Sequence, residues 1–421
     1  MRTMMSIKRR GVGIFKIFFG SGLSQLLNFI LVVIVTRIYG DSELSTLVKI
    51  IALSSFIVLA FEAGCNYLIV SRSERALKDV LIIRIIFLIL VTIAYFSIFE
   101  LVKKYFNINF NIYLISFIFS LLSSLSNSLA YYFQGRGNIN KYALLFFGRN
   151  SLHFTLAILA YLVFKPLEPS LIWLLIGCTV NILLILTSFK FLSMDVFLVR
   201  MDNDSYSTFK LSFYYLLSSV LVMTIIRAEA ILLGNDDYQL AIYFQAKTFA
   251  MAISLVSSSF SNYYLSNFNW IIEKGWLKFR NQVFLTYLIV APFLFITFYF
   301  SDVLFFYLFD TDNNKKLREI FTIIGFAFSL GIITNSLSTI IIKAEVSKFN
   351  FYLNLLQMVL VILGGAVLIN FGFGAIGLSI AILMAHIAGF LIILIYTETN
   401  YDLLFKKIVD PTKTHSIKSE N

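Results

Sequence analysis

Long apolar runs separated by short polar links organise the chain from end to end. Twelve runs fall at about residues 13–36, 47–70, 80–101, 112–133, 142–164, 171–192, 208–233, 240–263, 282–308, 320–342, 349–370 and 374–396. A spanning helix needs ~20 mostly apolar residues, because each adds ~1.5 Å across ~30 Å of hydrocarbon. All twelve meet that length, and the ninth is interrupted by Asp302. The runs are uniformly apolar and lack the period-two alternation of ~10-residue barrel strands. The pattern therefore predicts an all-α polytopic membrane protein of about twelve transmembrane helices.

Composition sharpens this picture. Of 421 residues, 59% are hydrophobic and only 14% are charged, against ~25% charged in soluble domains. Cys65 and Cys178 both lie in apolar runs and read as small packed hydrophobes. The net charge is +11, and its distribution orients the spans. One set of links and tails carries 21 basic residues: Arg2, Lys8, Arg9, Arg10, Arg72, Arg75, Lys78, Arg136, Lys141, Lys190, Arg200, Lys210, Lys274, Lys278, Arg280, Lys343, Lys348, Lys406, Lys407, Lys413 and Lys418. The alternate links carry 7: Arg37, Lys103, Lys104, Lys165, Lys315, Lys316 and Arg318. The positive-inside rule then places both termini in the cytoplasm. The positive charge is a topogenic signal, and no nucleic-acid partner is expected. Residues 1–10 precede a full span without a small-residue cleavage site, which predicts a retained signal anchor. Six spans precede the polar link 201–207 and six follow it, so the expected organisation is an N-terminal lobe over 1–200, a C-terminal lobe over 208–397 and a cytoplasmic tail over 398–421.

Three stretches add a resemblance. They are "TRIYG" closing the first span, "FEAGCNYLIVSRS" (residues 61–73) and "YYFQGRGNINKYA" (residues 131–143). With the twelve-span layout they resemble bacterial polysaccharide flippases of the Wzx, or O-antigen translocase, type, within the multidrug/oligosaccharidyl-lipid/polysaccharide exporter superfamily. Residues Glu62-Ala63 before Gly64 depart from the family's more Gly-rich pattern. The resemblance implies two six-helix lobes around a central cavity and no enzymatic activity. It implies undecaprenyl-diphosphate-linked oligosaccharide as substrate, turned to the periplasmic leaflet of the inner membrane for O-antigen (lipopolysaccharide) or related polysaccharide synthesis. Membrane lipids, the polysaccharide polymerase and the chain-length machinery are the further partners it implies.

Ionisable residues inside the spans are the functional candidates, since each costs ~2.5–3.5 kcal/mol at the bilayer centre on insertion scales. Counting turns from the span ends groups them in two tiers. Glu62, Arg84 and Arg149 lie toward the basic-rich face, and Lys49, Arg227, Glu229 and Lys247 toward the other. Lys16 is close enough to its span end to snorkel. Each tier is net basic, which suits a diphosphate headgroup, because guanidinium meets phosphate oxygens in a two-pronged fork. Arg84, Arg149, Arg227, Lys247 and Lys49 are the candidate substrate-binding residues. Glu62 and Glu229 are the acidic candidates for moderating the field or binding a coupling proton or sodium ion. Arg227 and Glu229, two apart, are expected on different faces of a regular helix. Gln25, Asn28, Asn127, Asn150, Asn181, Asn335, Asn354 and Gln357 read mostly as interhelical hydrogen bonders, and His153 and His386 as packed histidines.

No GxxxxGK[ST] loop for a nucleotide and no His/Cys/Asp cluster for a metal occurs, so no cofactor is expected. Two rivals share the span count. A membrane-embedded polysaccharide polymerase needs a large outer loop, and the links here are short. A cation-coupled small-molecule exporter of the same superfamily should carry surplus carboxylates. The orientation is checked by reporter fusions: those at Ser205 and Lys274 should read cytoplasmic and one at Asp236 periplasmic, and a periplasmic signal at Ser205 contradicts the division into two six-span halves.

Overall fold

The computed structural model describes residues 22–66, 69, 77–106, 108–135, 138–165, 167–189, 205–266, 271, 273, 275–309, 314–344 and 346–409. Lys16, the link 201–204 and the tail beyond residue 409 lie outside them. Among the described residues every regular element is a helix. In chain order these are α1 (Gly22–Tyr39), α2 (Asp41–Glu62), α3 (Leu77–Ser97), α4 (Phe99–Phe106), α5 (Phe110–Gly135), α6 (Ile139–Ala143), a π-helical turn (Leu144–Gly148), α7 (Arg149–Val163) and α8 (Pro169–Phe189). There follow α9 (Ser205–Ile226), α10 (Ala228–Leu232), α11 (Asp237–Ser266), α12 (Trp276–Tyr299), α13 (Ser301–Phe309), α14 (Asn314–Lys343), α15 (Ser347–Leu368) and α16 (Gly374–Val409), the last two joined through a second π turn, Ile369–Phe373.

Nine stretches of the described residues are long and apolar enough to cross a membrane, or ten with the bent pair α3/α4. The last of them, Lys348–Phe405, holds both α15 and α16, and Tyr215–Ile226 is a shorter apolar helix. Over its described residues, each of the twelve predicted spans therefore falls on a helix or a consecutive run of helices. The protein is a multi-pass membrane protein with an all-α fold.

The helices form two compact units, Met1–Gln245 and Ala246–Asn421. In the first, α2 packs on α3, α5, α8 and α9, and α5 packs along α8. In the second, α16 packs along both α14 and α15, and α12 lies on α14. Burial ranks the spans. Within the spanning windows, 61% of α2 is buried but only 11% of α12. The outer face of α12 presents Leu285, Leu288, Ile289, Phe293 and Phe295, an apolar surface matched to lipid rather than to water.

The spans are less regular than their hydropathy suggests. Gly40 (φ 91°) ends α1, its N–H returning to Val35 O and Thr36 O, and α2 starts at the next residue with Asp41 and Glu43 in its first turn. A positive-φ glycine closing a helix, followed by acids at the positive N-terminus of the next, is what "TRIYGD" encodes. The second span's apolar run continues to Val70 but is interrupted inside it. Its helix ends at Glu62 because Ala63 (φ 50°) and Gly64 (φ 70°) both turn left-handed, Ala63 N–H bonding back to Leu59 O and Ala60 O. The third span bends by 57° between α3 and α4. The seventh breaks at Arg227 (φ −109°, ψ 18°). The ninth carries Pro292 and breaks at Phe300, so that Asp302 opens α13 and pairs with Arg318 of α14. That carboxylate, an interruption in sequence, is thereby neutralised.

Close packing in the first unit depends on Gly177 of α8, where an added Cβ would meet Phe119 at 2.4 Å and His153 at 2.8 Å. His153 donates from Nε2 to Trp173 O at 2.8 Å, and His386 in the second unit from Nδ1 to Ile382 O at 2.9 Å. Both histidines fill packing roles. The second unit is pinned near the start of α12 by Glu398, which accepts from Trp276 Nε1 at 2.9 Å and from Arg280 Nη1 at 2.5 Å, while Tyr401 stacks on Trp276.

The left-handed, fully buried Ala63 yields a stability test. Ala63→Gly exchanges a lost methyl for a relaxed backbone and should change stability by less than about 1 kcal/mol. Ala63→Val forces a β-branched residue into the left-handed region without room and should cost more than about 2 kcal/mol. Thermal unfolding in detergent reads the difference.

Candidate functional site

The first unit brings Glu62, Arg84 and Arg149 together at the α2 break. Arg84 of α3 donates from Nη2 to Asn66 Oδ1 at 2.6 Å and from Nη1 to Ser128 Oγ of α5. Arg149 is the first residue of α7, directly after the π turn, and its guanidinium lies 5.8 Å from the Phe146 ring centre. Its Nη1 donates to Asn127 Oδ1 at 2.6 Å, and its Nε and Nη2 share Asn150 Oδ1 at 3.2 and 3.1 Å. Asn127 passes the interaction on, its Nδ2 donating to Glu62 Oε1 at 2.6 Å. Glu62 lies within electrostatic reach of both arginines, yet among the described residues its contacts with them run through amides.

The local sequence explains the convergence. A π turn shifts the register by one residue relative to a regular helix, and here it sets the direction of Arg149. The left-handed pair Ala63–Gly64 turns the chain so that Glu62 and Asn66 both face α3 and α5. On α5 the run Ser123-Ser124…Asn127-Ser128 supplies small polar groups within an apolar span. Ser123 Oγ also accepts from Asn181 Nδ2 of α8 at 3.0 Å. Among the described residues the buried Arg84 Nε has no acceptor, and Asn66 Nδ2 lies beside Glu62. Two guanidiniums against one carboxylate, with a spare buried donor, form a site of net charge +1 suited to an oxyanion.

The other tier has a different character. Lys49, 7% exposed, donates from Nζ to Asp237 Oδ1 at 2.7 Å, and Ser45 Oγ donates to the same oxygen at 2.7 Å. Its charge is taken up by a carboxylate at the first residue of α11. Thr36 Oγ1 and Asp41 Oδ1 in turn accept from Gln245 Nε2 at 3.3 and 2.9 Å. Arg227, at the break between α9 and α10, donates from Nη2 to Ser55 Oγ at 3.1 Å. Glu229 is fully buried and within electrostatic reach of Arg227 and Tyr243. The break removes the regular helix on which the expectation of separate faces rested. Within the first unit, Lys49 and Arg227 are thus matched by Asp237 and Glu229. Lys247 belongs to the second unit, where it is buried on α11.

Sequence reasoning missed Asn66, Ser128 and Asp237, and read Asn127 and Asn150 as packing polar groups. The available signal was the density of Ser and Asn in the α5 span. Asp237 gave little signal because a carboxylate next to Asp236 reads as turn chemistry. Among the described residues no three His, Cys, Asp or Glu side chains are grouped to hold a metal ion.

No family profile matches the chain, and no curated protein sequence matches it. Solved structures do match across almost its full length. The lipid II flippase MurJ in an inward closed conformation has a TM-score of 0.67 at 17% identity, over 93% of this chain and 89% of that one. An inward-facing multidrug resistance MATE family transporter of the MOP superfamily has a TM-score of 0.69 at 12% identity, over 91% of this chain and 96% of that one. The MATE multidrug transporter DinF-BH has a TM-score of 0.61 at 13% identity, over 93% and 95%. At such identities the likeness establishes a shared fold.

The Lys49–Asp237 pair is asymmetric, with side-chain exposures of 7% and 49%. Asp237→Asn strands a buried ammonium and should cost about 2–4 kcal/mol. Lys49→Met strands a carboxylate that water still reaches and should cost about 1 kcal/mol. The double variant should recover most of the Asp237→Asn loss. A double-mutant cycle of melting temperatures in detergent checks the order.

Proposed function

We propose that this protein is a flippase that moves polyprenyl-diphosphate-linked oligosaccharide from the cytoplasmic to the periplasmic leaflet of the bacterial inner membrane, for O-antigen or related surface polysaccharide synthesis. The observation that carries this reading is the Arg84–Glu62–Arg149 cluster, a buried site with one more cation than carboxylate. A diphosphate cannot enter hydrocarbon unaided, since an ionised group there costs many kcal/mol. Arginine remains charged at every physiological pH and grips phosphate with two parallel donors. Asn127 and Asn150 add amides of the kind that hydrogen-bond sugar hydroxyls. The fold shared with a lipid II flippase supports a lipid-linked cargo, and the polyprenyl chain would stay in the bilayer while the headgroup crosses.

Transport on this reading requires the site to open to the two faces of the membrane in turn. Glu62 and Glu229 moderate the positive field, so that the headgroup is released as well as held, and either is a candidate for coupling to a proton or sodium gradient. An exporter of cationic small molecules would need carboxylates in excess, the reverse of the balance at this cluster.

The test uses transfer of lipid-linked sugar into the periplasmic leaflet, read by surface polysaccharide in a strain that depends on this chain. Arg84→Ala and Arg149→Ala should each reduce it at least about 100-fold while the protein remains in the membrane. Arg149→Lys should restore it only in part, because a point charge lacks the fork. Wild-type polysaccharide in both alanine variants excludes the proposal.

A further inference from the structure

The way Arg149 is satisfied carries the reading one step further. An arginine beside a glutamate normally closes a direct ion pair. Here Asn127 stands between them, its Oδ1 accepting from Arg149 Nη1 at 2.6 Å and its Nδ2 donating to Glu62 Oε1 at 2.6 Å. The two ends of the amide are chemically distinct, so only one orientation satisfies both neighbours. Glu62 therefore fixes which end of Asn127 meets the arginine. A neutral amide oxygen is a weaker acceptor for guanidinium than a charged phosphate oxygen. Arg84 is held in the same manner, by the neutral acceptors Asn66 Oδ1 and Ser128 Oγ, with its Nε unused.

We infer that Asn127 is the exchange point of this site: its Oδ1 occupies the position on Arg149 that a phosphate oxygen of a diphosphate ligand takes, and Glu62 is the positioning residue that holds it there and limits the ligand's affinity. This rests on the proposed function for the class of ligand. Binding shifts Arg149 Nη1 from the amide to the oxyanion, and release lets Asn127 return under the pull of Glu62. The carboxylate is close enough to repel the bound anion and never pairs directly with the arginine. The internal acceptor is thereby strong enough to keep the guanidinium satisfied in a low-dielectric setting and weak enough to be displaced.

The experiment titrates the purified full chain in lipid nanodiscs with inorganic pyrophosphate and with farnesyl diphosphate, a short prenyl diphosphate. Both should bind the wild type. Tighter binding of farnesyl diphosphate assigns the site to a lipid-linked ligand; equal binding assigns it to a free one and overturns the flippase reading, while the Glu62 and Asn127 variants still decide the exchange role. Glu62→Gln keeps an acceptor for Asn127 and removes the charge, so both affinities should rise about tenfold. Asn127→Asp puts a carboxylate on Arg149, an internal competitor, and both affinities should fall about tenfold. Asn127→Ala should bind at least as tightly as the wild type. A merely structural role would weaken binding in all three variants, and that result, or unchanged affinities, overturns the exchange role while leaving the flippase reading intact. Failure of farnesyl diphosphate to bind the wild type overturns the flippase reading, and failure of both diphosphates overturns the inference with it.

Discussion

Hydrocarbon cannot solvate a polar group, and that constraint shapes every polar position in the spans. Each donor or acceptor that enters the bilayer must be answered within the protein. Serine and threonine hydroxyls answer themselves by donating to a carbonyl one turn back, which leaves their lone pairs to receive a second donor. Ser55 donates to Ile51 O and accepts from Arg227; Ser128 donates to Ser124 O and accepts from Arg84. Charged side chains that a lone span could not tolerate are thereby held by hydroxyls that are already satisfied. The same constraint makes three neutral amides, Asn66, Asn127 and Asn150, direct partners of the arginines in the cluster.

Helix irregularities decide where those charges stand. Glu62 ends a helix at a left-handed pair, Arg149 follows a π turn and Arg227 occupies a break. A regular helix distributes its side chains at about 100° intervals, and a break or a register shift re-aims one residue without disturbing the rest of the span. Interrupted helices inside a membrane are tolerated where protein surrounds them. All three candidates sit at such interruptions, so their direction is a property of the backbone as much as of the side chain.

The two tiers separate by the charge of their partners. Lys49 meets Asp237 directly, and Arg227 shares its surroundings with Glu229, an arrangement that neutralises charge and binds elements together. Arg84 and Arg149 meet amides and a hydroxyl, which leave most of their positive field in place. A ligand anion gains little by displacing a carboxylate from a cation and much by displacing an amide. That difference is the physical ground for proposing the Glu62 cluster as the seat for a phosphate, whereas Lys49 is held in an ion pair.

The membrane class, the twelve spans and the interruption at Asp302 were legible in the sequence. They follow from the length and apolarity of each run, which the thickness of hydrocarbon converts directly into helices. The grouping of Glu62, Arg84 and Arg149 in one tier was also legible, since distance along a helix is proportional to residue number, and the three meet in one cluster. Which groups would face one another was not. Contact between Arg149 and Asn127, 22 positions apart, or between Lys49 and Asp237, 188 apart, depends on how α2, α5, α7 and α11 pack, and hydropathy carries no record of that. The ends of α2 and α9 were hidden for a related reason. Ala63 and Arg227 have ordinary identities, and only the packing around them holds their backbones out of the helical region. Sequence therefore determined which stretches are apolar enough to enter the membrane, because that depends on solvation along one chain. Tertiary structure decided which charges are neutralised and which keep their field, because that depends on neighbours brought from elsewhere in the chain.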